Sequence, residues 1–294
     1  PFLHVPETRV HAPAAREEAR AYGRALLDFW VREAGRAGVA AAPQEAEGPV
    51  ADAIARAAAG LGQSAVVMGT HGRHGAPAGL LGSVAERVTH LSTRPVLLLR
   101  GDAAPEAWVV HPERLPEELP GWPPGGSFAL FRRVLVAVDG EASGWAALAQ
   151  GSGLTRALGA RLHVLHVIES FLTVGSPRTR AADWDTVRQA VRRGGRHVLE
   201  EAQRRVPGAP LTPLLYEARG HPFGRAVAQA AGDVQADLIV VGTHNRTGFD
   251  RWLLGSVSSR VMRSTGLPVL LVPLTPHAAE RPAAPLGRSG TLGG

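Results

Sequence analysis

The chain has 294 residues, of which 45% are hydrophobic and 20% charged, a balance typical of a globular protein long enough for two domains. It contains no Cys, which excludes disulfides, thiolate catalysis and Cys-ligated zinc, and no Lys, which excludes a Walker P-loop and a Schiff base. Its formal charge of +6 comes from arginines interleaved with Asp and Glu, a pattern that disfavours nucleic acid as a partner. No apolar run of about 18 residues and no secretory signal is visible, so we expect a cytoplasmic protein without a membrane span.

The N-terminal part of the chain shows a partial series of strand and helix patterns. A short apolar run, LHV at 3–5, is followed from Gly48 by GPVADAIARAAAG, which resembles a helical segment later in the chain. The apolar runs SAVVM and PVLLL then enclose a glycine-rich stretch, GTHGRHGAPAGLLGSVAERV, that begins at Gly69. Residues 102–130 are rich in Pro and Gly and are predicted to be a linker.

The second half shows a complete series of five apolar strands that alternate with helical patterns. Helical spacing covers 143–159, 256–264 and 182–206, the last interrupted by Gly194 and Gly195, which we expect to weaken that helix. Because each strand is apolar on both faces, the pattern predicts an α/β fold with an open parallel sheet covered by helices on both sides. The five strands are RRVLVAVDG, RLHVLHVI, LTPLLYEA, DLIVVG and PVLLV.

The two halves are copies of one unit. We therefore predict an incomplete N-terminal domain over 1–101, the linker over 102–130, a C-terminal domain over 131–274 and a disordered tail over 275–294. Three positions of the second half follow their counterparts in the first at a constant offset of 173 residues (242 − 69): Gly242 and Gly69, Gly255 and Gly82, and Pro268 and Pro95.

The first copy lacks a counterpart of VLVAVDG and of the helix that follows it. Its earliest piece, LHV at 3–5, matches the second strand of the other copy. Since the first strand of such a sheet is central, its absence predicts a cleft in the sheet. Two interpretations stay open: the chain, which begins at Pro1, is a fragment of a longer gene product, or the run AWVVH at 107–111 fills the slot. The first is favoured.

The stretch GTHNRTGFDRWLLGSVSSRV, which begins at Gly242, has the features of an anion site. It follows a strand at the edge where ligands bind in parallel α/β sheets, and Gly242 lets a ligand approach the backbone. Gly255 and Ser256 open a helix, whose unpaired N–H groups and partial positive charge attract phosphate. Arg246 and Arg251 add fork-shaped donors. The pattern favours a polyphosphate lying along the loop, with plain helix capping by Ser256 as the alternative.

These residues make the chain resemble the universal stress protein family, whose nucleotide-binding members carry G-x2-G-x9-G-[S/T]. The resemblance implies a five-stranded parallel sheet of order 3-2-1-4-5 in each copy, with strand 1 and helix 1 missing from the first. It also implies a pseudo-dimer joined through the last strands, PVLLL and PVLLV; further pairing into a homodimer stays open. The first copy matches the motif at Gly69, Gly72, Gly82 and Ser83, and the second at Gly242, Gly255 and Ser256, with Asn245 in place of the second Gly.

The resemblance also implies which residues of the second copy hold an adenine nucleotide. Asp139, at the end of the first strand, would contact the ribose or adenine, and the backbone around Val167 would meet the adenine edge. Gly242 and Asn245, which tolerates a left-handed backbone, would border the ribose and first phosphates. The outer phosphates would lie against Gly255, Ser256, Val257 and Ser258. Independently of the resemblance, Arg246 offers phosphate donors, and bridging of the phosphates by Mg²⁺ stays open.

The function that this resemblance implies is a regulatory or stress-response protein that binds ATP or a related adenine nucleotide and acts on a protein partner. No general base positioned for water and no HExxH-type metal spacing is visible, so we expect no enzyme, or at most a slow ATPase. The alternative is an interaction scaffold with a vestigial nucleotide site, which Asn245 and the missing first strand support best.

Overall fold

The structure, a computed structural model, describes most of both copies. The predicted linker over 102–130 and tail over 275–294 lie outside the described residues, and so does the run at 107–111. The described residues are 2–4, 13–62, 64–70, 81–99, 131–168, 181–218, 221–243 and 256–274.

Helices and strands alternate along the described chain, as the sequence predicts. The helices are α1 (Pro13–Arg36), α2 (Val50–Gly60), α3 (Ser83–Leu91), α4 (Ala142–Leu158), α5 (Ala181–Arg205), α6 (Phe223–Asp233) and α7 (Ser256–Ser264). The strands are β1 (Phe2–His4), β2 (Pro43–Glu45), β3 (Val66–Gly69), β4 (Val96–Leu99), β5 (Arg133–Ala137), β6 (Arg161–Ile168), β7 (Leu211–Glu217), β8 (Leu238–Thr243) and β9 (Val269–Pro273).

The second copy has the predicted sheet. Its strands lie in the order β7-β6-β5-β8-β9, which is 3-2-1-4-5 in the numbering of the repeat, and all four pairings are parallel. Strands β5 and β8 are buried along almost their whole length because helices cover both faces. The predicted strand order and parallel sheet are confirmed.

The two copies share one seven-stranded sheet. Strand β4 pairs antiparallel with β9, with Leu97 opposite Leu270, whereas the other strand pairs described for this sheet are parallel. Its register places Val96 opposite Leu271 and Leu98 opposite Val269, so the pairing is symmetric about its centre. The junction through the last strand of each copy is confirmed.

The first copy is divided. Strands β3 and β4 continue the large sheet, whereas β1 and β2 form a separate parallel pair. In the second copy β5 lies between the counterparts of these two pairs, and the described residues contain no counterpart of β5 in the first copy. Within the described residues, the two outer pieces of the first copy's sheet are therefore separate.

Two hydrophobic cores lie on opposite faces of the sheet. One packs α4 and α5 against side chains such as Val136, Val164 and Val240. The other packs α6 and α7, and also α2 and α3, against side chains that include Leu135 and Leu271. Each described helix is too short or too polar to cross a bilayer.

Helix α5 runs without a break through the two glycines that were expected to weaken it. Gly195 is buried, and a Cβ added there would lie 2.5 Å from Leu215 Cδ1 and 3.1 Å from His166 Cδ2. Glycine is therefore required for the close approach of α5 to β6 and β7, and tertiary packing outweighs the low helix propensity of glycine.

Candidate functional site

The candidate site lies where the strand order of the second copy reverses. The chain leaves β5 towards β6 on one side and later returns to β8 on the other, so the carboxyl ends of β5 and β8 form the switch point of the sheet. Ligands of open parallel sheets bind in the crevice at this point. Asp139 follows β5 and Gly242 lies near the end of β8, so the fold places both at this edge.

Asp139 is held in a tight turn at the end of β5. Its side chain is exposed, and its Oδ1 accepts a hydrogen bond of 2.9 Å from the N–H of Glu141. Gly140, between them, has φ +90°, which a residue with a side chain adopts only with strain. A Cβ added at Gly144 would lie 2.5 Å from Asp139 Oδ1, so the carboxylate rests on the first turn of α4.

Gly242 meets the same helical turn. A Cβ added at Gly242 would overlap the carbonyl group of Ser143 and lie 2.9 Å from the Ser143 Cβ. The backbone of β8 therefore approaches α4 as closely as a residue without a side chain allows. Asp139 and Gly242 are thus brought together through the first turn of α4, although they are about a hundred residues apart in the chain.

Helix α7 begins at Ser256, as predicted, and is tied to β8 by a buried hydroxyl. Ser258 is 1% exposed and donates its Oγ–H to the carbonyl oxygen of Gly242 over 3.1 Å. This bond orients the N-terminal end of α7 at the edge of the sheet. The first turn of α7 contains no acidic side chain, so nothing within that turn offsets its partial positive charge.

The remaining predicted ligand residues are placed as follows. Val167 lies in β6 opposite Tyr216 and is 8% exposed, with its side chain in the hydrophobic core, so only its backbone is free to meet a ligand. Ser256 and Val257 are the first two residues of α7. Gly72, Asn245, Arg246 and Gly255 lie outside the described residues, and their predicted contacts stay predictions.

Two contributors to this site were not anticipated from the sequence. His166 donates Nδ1–H to the carbonyl oxygen of Val138 over 2.9 Å and so links β6 to the end of β5. The backbone of Ser143 supports Gly242. The only sequence signal was the run of small residues after Asp139, which is compatible with any closely packed helix.

The corresponding edge of the first copy has a different chemistry. The N–H of Gly82 donates to Thr70 over 2.8 Å, and the first bond within α3 runs from Glu86 to Gly82 over 2.9 Å. Ser83 opens this helix with an exposed side chain, and Gly69 ends β3. Glu86 places a negative charge in the first turn of α3, and no described residue stands where Asp139 stands in the second copy.

The described residues of this edge suit an anion better than a metal ion. The unpaired N–H groups at the start of α7 attract negative charge. Within the described ranges, no group of three or more His, Asp or Glu side chains is arranged to hold a metal ion. The glycine of β8, the exposed carboxylate after β5 and the start of α7 thus lie together at the edge where open parallel sheets bind their ligands.

Comparison with known proteins agrees with this fold. Residues 3–100 and 130–273 match the model of the Universal stress protein family. A universal stress protein of Mycolicibacterium smegmatis is 30% identical over 227 residues, which cover 75% of this chain and 66% of that protein's length. A solved universal stress protein from Archaeoglobus fulgidus has the same fold, with a TM-score of 0.59 at 22% identity over 92% of this chain and 85% of that one. A universal stress protein solved in complex with cAMP is 28% identical over 48% of this chain and 97% of that one, with a TM-score of 0.36.

Proposed function

Because the chain belongs to the universal stress protein family, we propose that it binds an adenine nucleotide at the switch point of its second copy and acts as a regulatory protein. One observation supports this most strongly. Asp139 and Gly242 both rest on the first turn of α4, beside the start of α7. This arrangement brings a carboxylate, a strand glycine and a helix N-terminus to one edge of the sheet.

Each of these groups has a chemical role towards a nucleotide. The Asp139 carboxylate accepts hydrogen bonds from ribose hydroxyls or the adenine amino group. Gly242 would border the sugar through its backbone, while the side where a Cβ would project is filled by Ser143 of α4. The amides at Ser256 and Val257 donate to phosphate oxygens. By the family motif, Asn245 and Gly255 would lie along the phosphates. The Arg246 guanidinium would add donors beside them, and Mg²⁺ would bridge the outer phosphates.

We propose ATP as the ligand in preference to AMP or cyclic AMP. The start of α7 carries a partial positive charge with no acidic residue in its first turn, and its attraction increases with the charge of the ligand. The first copy does not bind in this proposal, because Glu86 repels phosphate at the start of α3 and Asp139 has no counterpart among the described residues. One nucleotide per chain is therefore expected.

The protein is proposed to bind rather than to turn over its ligand. One oxygen of the Asp139 carboxylate accepts the Glu141 N–H, and in this proposal the carboxylate holds a ligand hydroxyl. Regulation would follow from a change, on nucleotide binding, in the surface that this edge of the second copy offers to a protein partner. A slow ATPase is the second candidate, because a bound triphosphate exposed to water can hydrolyse slowly.

Calorimetric titration of the 294-residue chain with ATP and Mg²⁺ tests this proposal. We expect one site per chain. The variant Gly255→Asp places a carboxylate against the phosphates and should weaken binding by at least about a hundredfold, roughly 2.7 kcal/mol. Asp139→Asn retains an acceptor for Glu141 but loses the charge, and should weaken binding by about tenfold.

Two matched controls carry the same change elsewhere. Gly82→Asp alters the equivalent position of the first copy, and Gly232→Asp alters an exposed site at the far end of α6. Both should bind ATP like the unaltered chain. The proposal fails if the unaltered chain gives no heat of binding, or if Gly82→Asp weakens binding as much as Gly255→Asp. Sustained release of many phosphates per chain would show that the protein is an enzyme.

A further inference from the structure

Strand β7 is the outer strand of the complete second copy, and among the described residues it pairs with β6 alone. The N–H of Ala218, directly after β7, donates to the carbonyl oxygen of Ile168 over 3.0 Å. Because successive N–H groups of a strand point to opposite sides, those of Leu215 and Glu217 point away from β6. Pro213 lies on the same outward side and has no N–H, as is common in edge strands. This edge therefore offers two backbone donors but is a poor template for a long added strand.

A cavity of about 600 Å³ lies along this edge near the carboxyl end of β7. Its volume falls within the range of small-molecule sites, about 300–1,000 Å³. Of the described residues assigned above to the nucleotide, none lines it. Neighbouring strands lie about 4.8 Å apart, so β7 is roughly 10 Å from β5 and farther still from β8. The cavity is lined by Arg192 and Arg196 of α5, by Leu215 and Glu217 of β7, and by His221 and Gln229 before and within α6.

The close approach of α5 to β7 places two arginines at this edge. A Cβ added at Gly195 would lie 2.5 Å from Leu215 Cδ1, so the helix rests directly on the strand. Arg192 and Arg196 flank this glycine and are four residues apart, so they lie side by side on one face of α5. Their charges therefore line the same cavity as the outward N–H groups of Leu215 and Glu217.

The charges that line the cavity do not cancel. Arg192 binds Glu217 Oε1 through both Nε and Nη2, which neutralises the carboxylate of the cavity. Among the described residues Arg196 takes part in no ion pair of this kind. One guanidinium charge is therefore left over, and His221 adds a ring N–H donor beside it. The cavity is suited to an anion rather than to a cation.

We infer that this cavity binds a small phosphate monoester of the sugar phosphate class. The Arg196 fork, the two strand N–H groups and the His221 ring offer more donors than the two oxygens of a carboxylate need, and a phosphate group has three free oxygens to accept them. The volume of the cavity leaves space for an organic part, and the Gln229 amide can both donate to and accept from its hydroxyl groups. This inference does not depend on nucleotide binding.

Titration of the 294-residue chain with glucose 6-phosphate tests the inference, with the NMR amide signals of Leu215 and Glu217 as the readout. Both signals should shift saturably, because their N–H groups face the cavity. Glucose carries no phosphate and should cause no such shift at the same concentrations. Inorganic phosphate should bind at least about five times more weakly, since it leaves the rest of the cavity unfilled.

A matched pair of variants in α5 tests the role of Arg196. Arg196→Gln removes a guanidinium that lines the cavity and should weaken the binding of glucose 6-phosphate at least about tenfold. Arg193→Gln makes the same change at an exposed arginine that does not line the cavity, and this variant should bind like the unaltered chain. Gly255→Asp, which alters the proposed nucleotide site, should also leave this binding unchanged.

Three results would overturn the inference. Amide shifts that concentrate at the start of α7, or that are abolished by ATP, would place the sugar phosphate in the nucleotide site. Equal weakening by Arg196→Gln and Arg193→Gln would show that the ligand is attracted to the whole basic face of α5 rather than to the cavity. Equal affinity for inorganic phosphate and glucose 6-phosphate would show that the cavity does not recognise the organic part.

Discussion

The two copies pack equivalent helices by different means. In the second copy Gly224 of α6 lies against the backbone of α7, where a Cβ would overlap the carbonyl of Arg260 and lie 2.8 Å from the Val261 nitrogen. In the first copy, α2 is linked to α3 by a pair of hydrogen bonds from Arg87 to Asp52, of 3.0 and 3.3 Å. Both helix pairs pack on the same core, but one pair adds a close backbone contact and the other an exposed ion pair.

The equivalent strands β8 and β3 also differ between the copies, in how deeply they are buried. In β8 the residues Leu238–Val241 are all buried, whereas in β3 half-buried and exposed residues alternate. The two strands have similar apolar sequences, VVMG and LIVVGT. Burial therefore depends on the neighbouring strand and helix rather than on the composition of the strand.

The largest effect is expected from the glycine contact of the second copy. Gly224→Ala should lower the free energy of unfolding by about 3 kcal/mol, because the added methyl group meets backbone atoms that cannot rotate away. Gly232→Ala in the same helix has free space within 4 Å and should leave stability unchanged or raise it by less than about 1 kcal/mol. Urea unfolding measures both, and equal effects would contradict the close packing of α6 on α7.

A smaller effect should distinguish the two equivalent strand positions. Val240→Ala removes two buried methyl groups and leaves a cavity, at a cost of roughly 2 kcal/mol. Val67→Ala removes exposed atoms and should change stability by less than about 0.5 kcal/mol. The comparison uses the same substitution and the same measurement. If Val67→Ala were as destabilising as Val240→Ala, the face of β3 would be covered in solution.

The smallest effect concerns the charged pair of the first copy. Hydrogen bonds from the Arg87 guanidinium hold the pKa of Asp52 below its ordinary value. As the pH falls, Asp52 of the unfolded chain therefore binds a proton before Asp52 of the folded chain does. The pair's contribution to folding stability is present above the unfolded pKa of about 4 and is lost as the pH falls through the folded pKa. Asp52→Asn should slightly lower the melting temperature at pH 7. Between pH 5 and pH 3, the melting temperature of this variant should fall less than that of the unaltered chain.

The control for this charge effect lies in the second copy. Asp233→Asn changes an exposed carboxylate of α6, where Gly224 rather than an ion pair holds the two helices together. It should leave the acid dependence of the melting temperature close to that of the unaltered chain. An Asp52→Asn variant that melts with an unchanged pH profile would mean that the pair makes no net contribution in solution, as many exposed pairs do.

Much of the second copy follows from local sequence patterns. The apolar runs and helical spacing predict its elements, and the Gly-Ser pair predicts the start of α7 at Ser256. The positions of Asp139 and Gly242 at one edge follow from strand direction, since the carboxyl ends of parallel strands lie on the same side. Periodicity and turn glycines are local properties, and the repeat is a property of the sequence itself, so all three can be read without the structure.

The tertiary structure determines which hydrogen-bond partner each polar group has and which atoms pack against each buried glycine. The hydroxyl of Ser258 donates to Gly242, and His166 donates to Val138, and neither bond leaves a signal in spacing. Gly195 lies in an unbroken helix because Leu215 and His166 approach it from the sheet. The difference between Val67 and Val240 depends on whether a β5–α4 unit lies beside the strand. Such contacts join residues far apart in the chain, so their energies are set only when the sheet assembles.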